Sequence, residues 1–127
     1  QMQPLPMNEL VQQQLRQVGI ELSFDVVEWN AMRVQRGKGP LDPSARGLHG
    51  INNSMGTSTP FDAFQRHFSC DMAPPQGLNW AGVCDPALQA MLEEASRTFD
   101  TAARDAIVAR VHEHVVDNAY WLFVVHD

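Results

Sequence analysis

The spacing of apolar residues changes at Gly19, and this change restricts the folds open to the chain. Before the glycine, apolar residues recur every three or four positions, which predicts an amphipathic helix over residues 6–18. A glycine directly after such a run is a common helix end, because it accepts a left-handed backbone. From Ile20 to Val26 apolar and polar residues alternate, which predicts a half-buried strand over 20–28. Helix, glycine and strand are therefore predicted as one unit over residues 6–28.

Two aspartates mark helix starts in the second half of the chain. Asp85 precedes a proline, and Asp100 precedes a run with apolar residues at every fourth position. Aspartate is favoured at the N-cap and proline at the first helical position, so a helix is expected after Asp85. The run after Asp100 predicts the longest helix, over 101–117. Shorter helices are expected over 29–37 and 60–68.

The final apolar run, 120–125, has no polar face. Such a run is typical of a central strand that is covered on both sides. We therefore predict that 120–125 pairs with 20–28 in one sheet, in which 120–125 is the central strand, and that the helices at 6–18 and 101–117 pack on it.

Composition indicates one globular domain and excludes several function classes. The chain has 127 residues, of which 44% are hydrophobic, enough for a single core. Nine Lys and Arg against fifteen Asp and Glu give a net charge of -6, which argues against nucleic acid as a partner. No apolar run approaches the roughly 20 residues that a membrane-spanning helix needs.

The five histidines show no pattern typical of a metal or catalytic site. His112 and His114 lie two apart in a predicted helix, so they point in different directions, whereas helical zinc pairs are three or four apart. A structural or solvent-facing role is the expectation for both. No phosphate-binding, nucleophile-elbow or metalloprotease motif occurs. We expect a protein that is not an enzyme, with no catalytic residues, no metal and no cofactor.

Cys70 and Cys84 lie fourteen positions apart in a predicted loop, without a Cys-x-x-Cys or Cys/His spacing that would indicate zinc. A disulfide between them is the simpler interpretation in an oxidising compartment, and two buried free thiols are the alternative. A nucleophilic cysteine would need a neighbouring base, which the sequence does not identify. A small cysteine-dependent hydrolase or transferase is nevertheless the alternative function.

Two long polar loops are expected over 52–60 and 69–84, and the second contains Asn79 and Trp80. An aromatic ring and an amide on a loop offer stacking area and directional hydrogen bonds, which suit the capture of a ligand. The alternative for Trp80 is a loop anchor packed on the core.

Several segments resemble the family 5 extracellular solute-binding proteins, the dipeptide, oligopeptide and nickel receptors of bacterial ABC importers. Residues 7–22 resemble the family's helix, Gly-Ile, strand unit. Residues 79–86, Asn-Trp-Ala-Gly-Val-Cys-Asp-Pro, are similar to its element of an Asn-aromatic pair, small residues, Asp-Pro and a helix. Asp100 and Arg104 match its D-x-x-x-R helix entry, and 118–123 match the segment where the chain re-enters the sheet.

The resemblance implies that residues 1–127 form a single domain, a truncated C-terminal lobe of a two-lobed periplasmic receptor. It also implies a mixed α/β fold for this domain, with a small mixed sheet flanked by helices. Such a receptor captures peptides or related small solutes and delivers them to ABC permease subunits in the membrane. The partners implied are a peptide or small-molecule ligand and the permease, with the receptor itself a monomer. The ligand, which could also be a nickel chelate or an opine, is not implied by the matching residues.

Ligand-facing positions of the family fall on two loops of this chain. The dipeptide receptors carry an aspartate in the first loop, for the amino terminus of the peptide, where this sequence has Gly56. The resemblance implies these ligand-binding residues: Asn53, Met55, Gly56, Thr57, Asn79 and Trp80.

Overall fold

Helices and irregular segments make up the parts of the chain that the computed structural model describes, residues 5–52 and 56–124. Two single-turn 3₁₀ helices, Pro43–Ala45 and Cys70–Met72, lie in the loops. The α-helices are α1 (Leu5–Gln17), α2 (Trp29–Gly37), α3 (Pro60–Phe68), α4 (Pro86–Arg97) and α5 (Thr101–Asp117).

Helices α2 to α5 begin where a capping side chain accepts hydrogen bonds from free N–H groups of the first turn. The Asp85 carboxylate accepts a hydrogen bond from the backbone N–H of Ala87 at 2.8 Å, and Asp100 accepts one from Ala103 at 2.8 Å. The helix starts predicted at Asp85 and Asp100 are therefore confirmed. The helices predicted over 29–37 and 60–68 are confirmed as α2 and α3.

The hydrophobic core lies between α3, α4 and α5. Each of these helices buries one apolar face against the other two, and the half-buried rings of Tyr120 and Trp121 cover one side. The buried apolar side chains are Phe64, Phe68, Leu88, Leu92, Ala95, Ile107, Val108, Val111 and Val115.

The predicted sheet is wrong, and with it the mixed α/β class. In the described ranges no residue forms a strand, and both 20–28 and 121–124 are irregular. Ile20 is 52% exposed and Val26 is 78% exposed, so the alternating segment is not half-buried. Val125, the last residue of the predicted C-terminal strand, lies outside the described residues.

The failure has a physical reason, which is that a strand depends on a neighbour. A helix closes its hydrogen bonds within its own segment, whereas a strand must find donors and acceptors on another strand. Among the described residues, the backbone of 21–27 makes no hydrogen bond to another backbone segment. The predicted helices at 6–18 and 101–117 form as α1 and α5, but α5 packs on α3 and α4, and α1 buries no residue.

Of the described helices, none is both long enough and apolar enough to cross a membrane.

Candidate functional site

A disulfide closes the loop between α3 and α4. Cys70 and Cys84 are bonded, with their Cα atoms 4.7 Å apart, which lies within the normal range for a disulfide. The predicted pairing is confirmed, and the alternative of two free thiols is wrong. Because both sulfur atoms are in the bond, neither is free to act as the nucleophile that the cysteine-dependent enzyme required.

Asn79 is fully buried inside this loop and holds its shape. Its Nδ2 donates to the carbonyl oxygens of Ser69 at 3.1 Å and Val83 at 2.6 Å, and its Oδ1 accepts from the N–H of Val83 at 3.2 Å. The amide thus joins the two ends of the loop next to the disulfide. Contact between Asn79 and a ligand remains a prediction.

Trp80 follows directly and is half-buried, and a guanidinium lies over its ring. The Arg36 guanidinium carbon is 3.8 Å from the centre of the Trp80 ring and 5.0 Å from that of Trp29. The His67 ring meets the Trp80 ring edge-on at 6.3 Å, and Trp121 lies 5.3 Å beyond His67. We call these five residues the tryptophan stack.

Burial lowers the pKa of two side chains in the tryptophan stack, Arg36 and His67. Arg36 is only 4% exposed, and loss of water lowers its pKa, with a further lowering from the charge of Arg33. A desolvated guanidinium on an indole face gains up to about 2 kcal/mol from the ring quadrupole. Burial also lowers the pKa of His67, which favours the neutral imidazole, and its Nδ1 donates to the carbonyl oxygen of Leu78 at 3.1 Å.

The sequence contains a partial signal for this stack. Trp29 and Arg36 are seven residues apart in the predicted helix 29–37, so they lie on the same helix face two turns apart. Their contact with Trp80, forty-four positions beyond Arg36, depends on tertiary structure and could not be found from spacing.

A second polar cluster lies at the start of α4. The Asp85 carboxylate, which caps α4, accepts hydrogen bonds from His114 Nε2 at 2.5 Å and from the Tyr120 hydroxyl at 3.0 Å. His114 therefore has a structural role, whereas His112 is exposed beside the ring of Phe123. The cluster joins the start of α4, the last turn of α5 and the segment after it.

The Asp85 cluster predicts a loss of stability in acid. Hydrogen bonds lower the pKa of Asp85 to about 2. The bond from His114 has the largest effect, and the bond from the N–H of Ala87 lowers the pKa further. The unfolded carboxyl has a pKa of about 3.9, so the stabilisation is complete above that pH and is lost as the pH falls towards 2.

Urea unfolding of the protein and of Asp85→Asn between pH 2 and pH 6 tests this. The free energy of unfolding of the variant is expected to be lower than that of the wild type at pH 6. This difference should narrow as the pH approaches 2. Asp105→Asn, at an exposed position of α5, is the matched control and should follow the wild type. A difference that does not change with pH would contradict the prediction.

The first predicted loop is described only in part. Asn53 and Met55 lie outside the described residues, while Gly56 and Thr57 are exposed and irregular. Within the described ranges, no hydrogen bond or ring contact joins Gly56 or Thr57 to Trp80. The structure brings Cys70, Cys84, Asn79 and Trp80 into one loop, and the joint ligand site with 53–57 stays a prediction.

In residues 5–52 and 56–124, no group of three or more His, Cys, Asp or Glu side chains is placed to hold a metal ion.

Comparisons with known proteins give a distant similarity. No family model matches the chain, and no solved structure matches it. A curated relative, the probable di/tripeptide-binding protein 5 of Pseudomonas aeruginosa (strain UCBPP-PA14), is 25% identical over 118 residues. The match covers 93% of this chain and 21% of the relative, so the chain spans about a fifth of the relative's length.

Proposed function

We propose that this chain is part of a periplasmic solute-binding protein of an ABC importer, which captures small peptides or related solutes and delivers them to membrane permease subunits. The observation that carries the proposal is the similarity to a di/tripeptide-binding protein over 93% of the chain. The disulfide between Cys70 and Cys84 supports it, since such bonds persist in oxidising compartments such as the periplasm.

The part of the ligand site proposed for this chain centres on Trp80. The disulfide and the buried amide of Asn79 hold the loop on which the ring stands, so the ring needs little ordering when a ligand binds. Arg36 covers one region of the ring, and the surface of the half-buried indole that is still exposed is the part offered to ligand. The backbone of 53–57 is proposed to supply hydrogen bonds to a peptide.

The substitution Trp80→Ala is expected to weaken peptide binding in the intact receptor by about 1–3 kcal/mol, or about 5- to 150-fold. The reason is loss of the aromatic surface that packs on the ligand. Isothermal titration calorimetry with dialanine and trialanine measures the effect.

Two further variants separate contact from indirect effects. Arg36→Gln removes the guanidinium from the Trp80 ring but leaves the ring, so it should retain most of the affinity if the ring itself touches ligand. Phe99→Ala changes an exposed ring between α4 and α5 and should leave affinity unchanged. Equal losses in the Trp80 and Arg36 variants would indicate that the loop is merely loosened. Unchanged affinity in Trp80→Ala would show that Trp80 is a loop anchor.

A further inference from the structure

The Arg36 guanidinium lies over a face of the Trp80 ring and carries a charge that solvent screens poorly. Its central carbon is 3.8 Å from the centre of the ring, and the side chain is 4% exposed. Arginine stays protonated at neutral pH in proteins. Salt screens a buried charge much less than an exposed one. A positive charge is therefore a constant feature of the surroundings of Trp80.

We propose that Arg36 determines specificity at Trp80, and that the site favours peptides with a neutral side chain over those with Lys or Arg at the position that meets the ring. This inference rests on the proposed function, in which a peptide contacts Trp80. A site becomes specific through a repulsive element against the wrong ligand as well as through contacts with the right one. The guanidinium on the ring supplies the repulsive element.

The electrostatics of the Trp80 ring disfavour a second cation, whichever part of the ring it meets. An aromatic ring is electronegative on its faces and electropositive at its edge. A basic side chain at the edge is therefore repelled, and one on the second face competes for the ring with a cation already in place. In both positions it approaches the charge of Arg36, and like charges placed together in an interface lower the affinity. A neutral side chain packs on the same surface without these costs.

The other groups at the ring leave this positive field in place. α2 carries Arg33 and Arg36 and no Asp or Glu, and Lys38 follows it directly. His67 meets the Trp80 ring edge-on at 6.3 Å, and because burial lowers the pKa of His67, its neutral form is favoured. The helix that presents the guanidinium is thus cationic, and the imidazole adds no negative charge.

Isothermal titration calorimetry of the intact receptor with matched dipeptides tests the inference. The basic probes are alanyl-lysine and lysyl-alanine, and each neutral probe has norleucine in place of lysine, which removes only the ammonium group. Both orders are used because either residue of a dipeptide can meet the ring. In at least one order, we expect the norleucine peptide to bind about 10-fold more tightly than the lysine peptide.

Substitution of Arg36 should reduce this ratio. Arg36→Gln removes the cation and leaves the ring, so the lysine peptide should bind more tightly and the ratio should fall below about 3-fold. Arg36→Met keeps more of the apolar contact with the ring and should lower the ratio in the same way. Arg33→Gln is the matched control, because it removes an equal charge from an exposed position of α2. That variant should keep the wild-type ratio, since an exposed charge is screened.

The possible failures of the inference and of the proposed function are distinguishable. Equal affinity of the wild type for the paired dipeptides would overturn the inference and leave the proposed function intact. A ratio that both Arg36 variants retain would do the same. Loss of the ratio in Arg33→Gln would overturn the role of Arg36, because the charge of the whole helix would then set the preference. No binding of any of the four dipeptides would contradict the proposed function, and the inference with it.

Discussion

The substitution Phe68→Ala is expected to lower the free energy of unfolding by about 3–5 kcal/mol. Phe68 lies at the end of α3, is 1% exposed, and packs its ring 4.9 Å from that of Trp121 and 5.9 Å from that of Phe64. Truncation removes buried apolar surface and leaves a cavity among α3, α4 and α5. Urea denaturation followed by far-ultraviolet circular dichroism measures the change.

Phe99→Ala is the matched control, because the same atoms are removed from a ring that is 93% exposed. That variant should stay within about 0.5 kcal/mol of the wild type. A similar loss in both variants would mean that the three-helix core is not the main source of stability.

Removal of the disulfide is expected to have the second largest effect. Replacing Cys70 and Cys84 together by serine should lower the free energy of unfolding by about 3 kcal/mol, since a loop of fourteen positions is no longer closed in the unfolded chain. The loop should also become less ordered, because the hydrogen bonds of the Asn79 amide join the two ends of the loop next to the disulfide.

Denaturation with and without dithiothreitol provides the comparison. The reductant should destabilise the wild type by a similar amount and leave the double serine variant unchanged. A wild type that is equally stable with the disulfide reduced would show that the native contacts of the loop, and not the covalent bond, limit its opening.

The helices were predictable because their determinants are local. Asp85 and Asp100 each cap a helix with their own carboxylates, and the apolar spacing before Gly19 predicts α1, which ends at Gln17. The one predicted long-range contact that the structure confirms, between Cys70 and Cys84, rests on the chemistry of cysteine. Helix caps and apolar contacts between residues a few positions apart can be predicted from the sequence without knowledge of the fold.

The predictions that failed concern segments that depend on distant partners. The pattern of 20–28 specifies which side chains could share a face, but it does not supply a neighbouring strand. The strand predicted at residues 121–124 does not form for the same reason, since apolar character alone does not place these residues in a sheet. Leu122 and Phe123 remain exposed, whereas Trp121 packs on Phe68.

The candidate site also has one part that the sequence predicts and one part that it does not. The loop bearing Trp80 was predicted from its composition and from a family resemblance, while the cation on its ring was not. Arg36 belongs to a helix that lies well before the loop in sequence, and only the folded chain brings the two together.

The contact of Arg36 with Trp80 also lies between two parts of the molecule that are expected to differ in how readily they unfold locally. α1 buries no residue, and Arg36 is the one side chain that α2 buries within the described chain. The loop after α2 adds a close approach, in which a Cβ on Gly82 would lie 2.9 Å from Pro40 Cγ. α2 and the loop after it are thus held by the Arg36 guanidinium on Trp80 and by the Pro40 ring against Gly82, instead of by a shared apolar core. We therefore expect α1 and α2 to open by local unfolding while α3, α4 and α5 stay folded, so that proteolysis and amide exchange in α1 and α2 report on these few contacts and not on global stability.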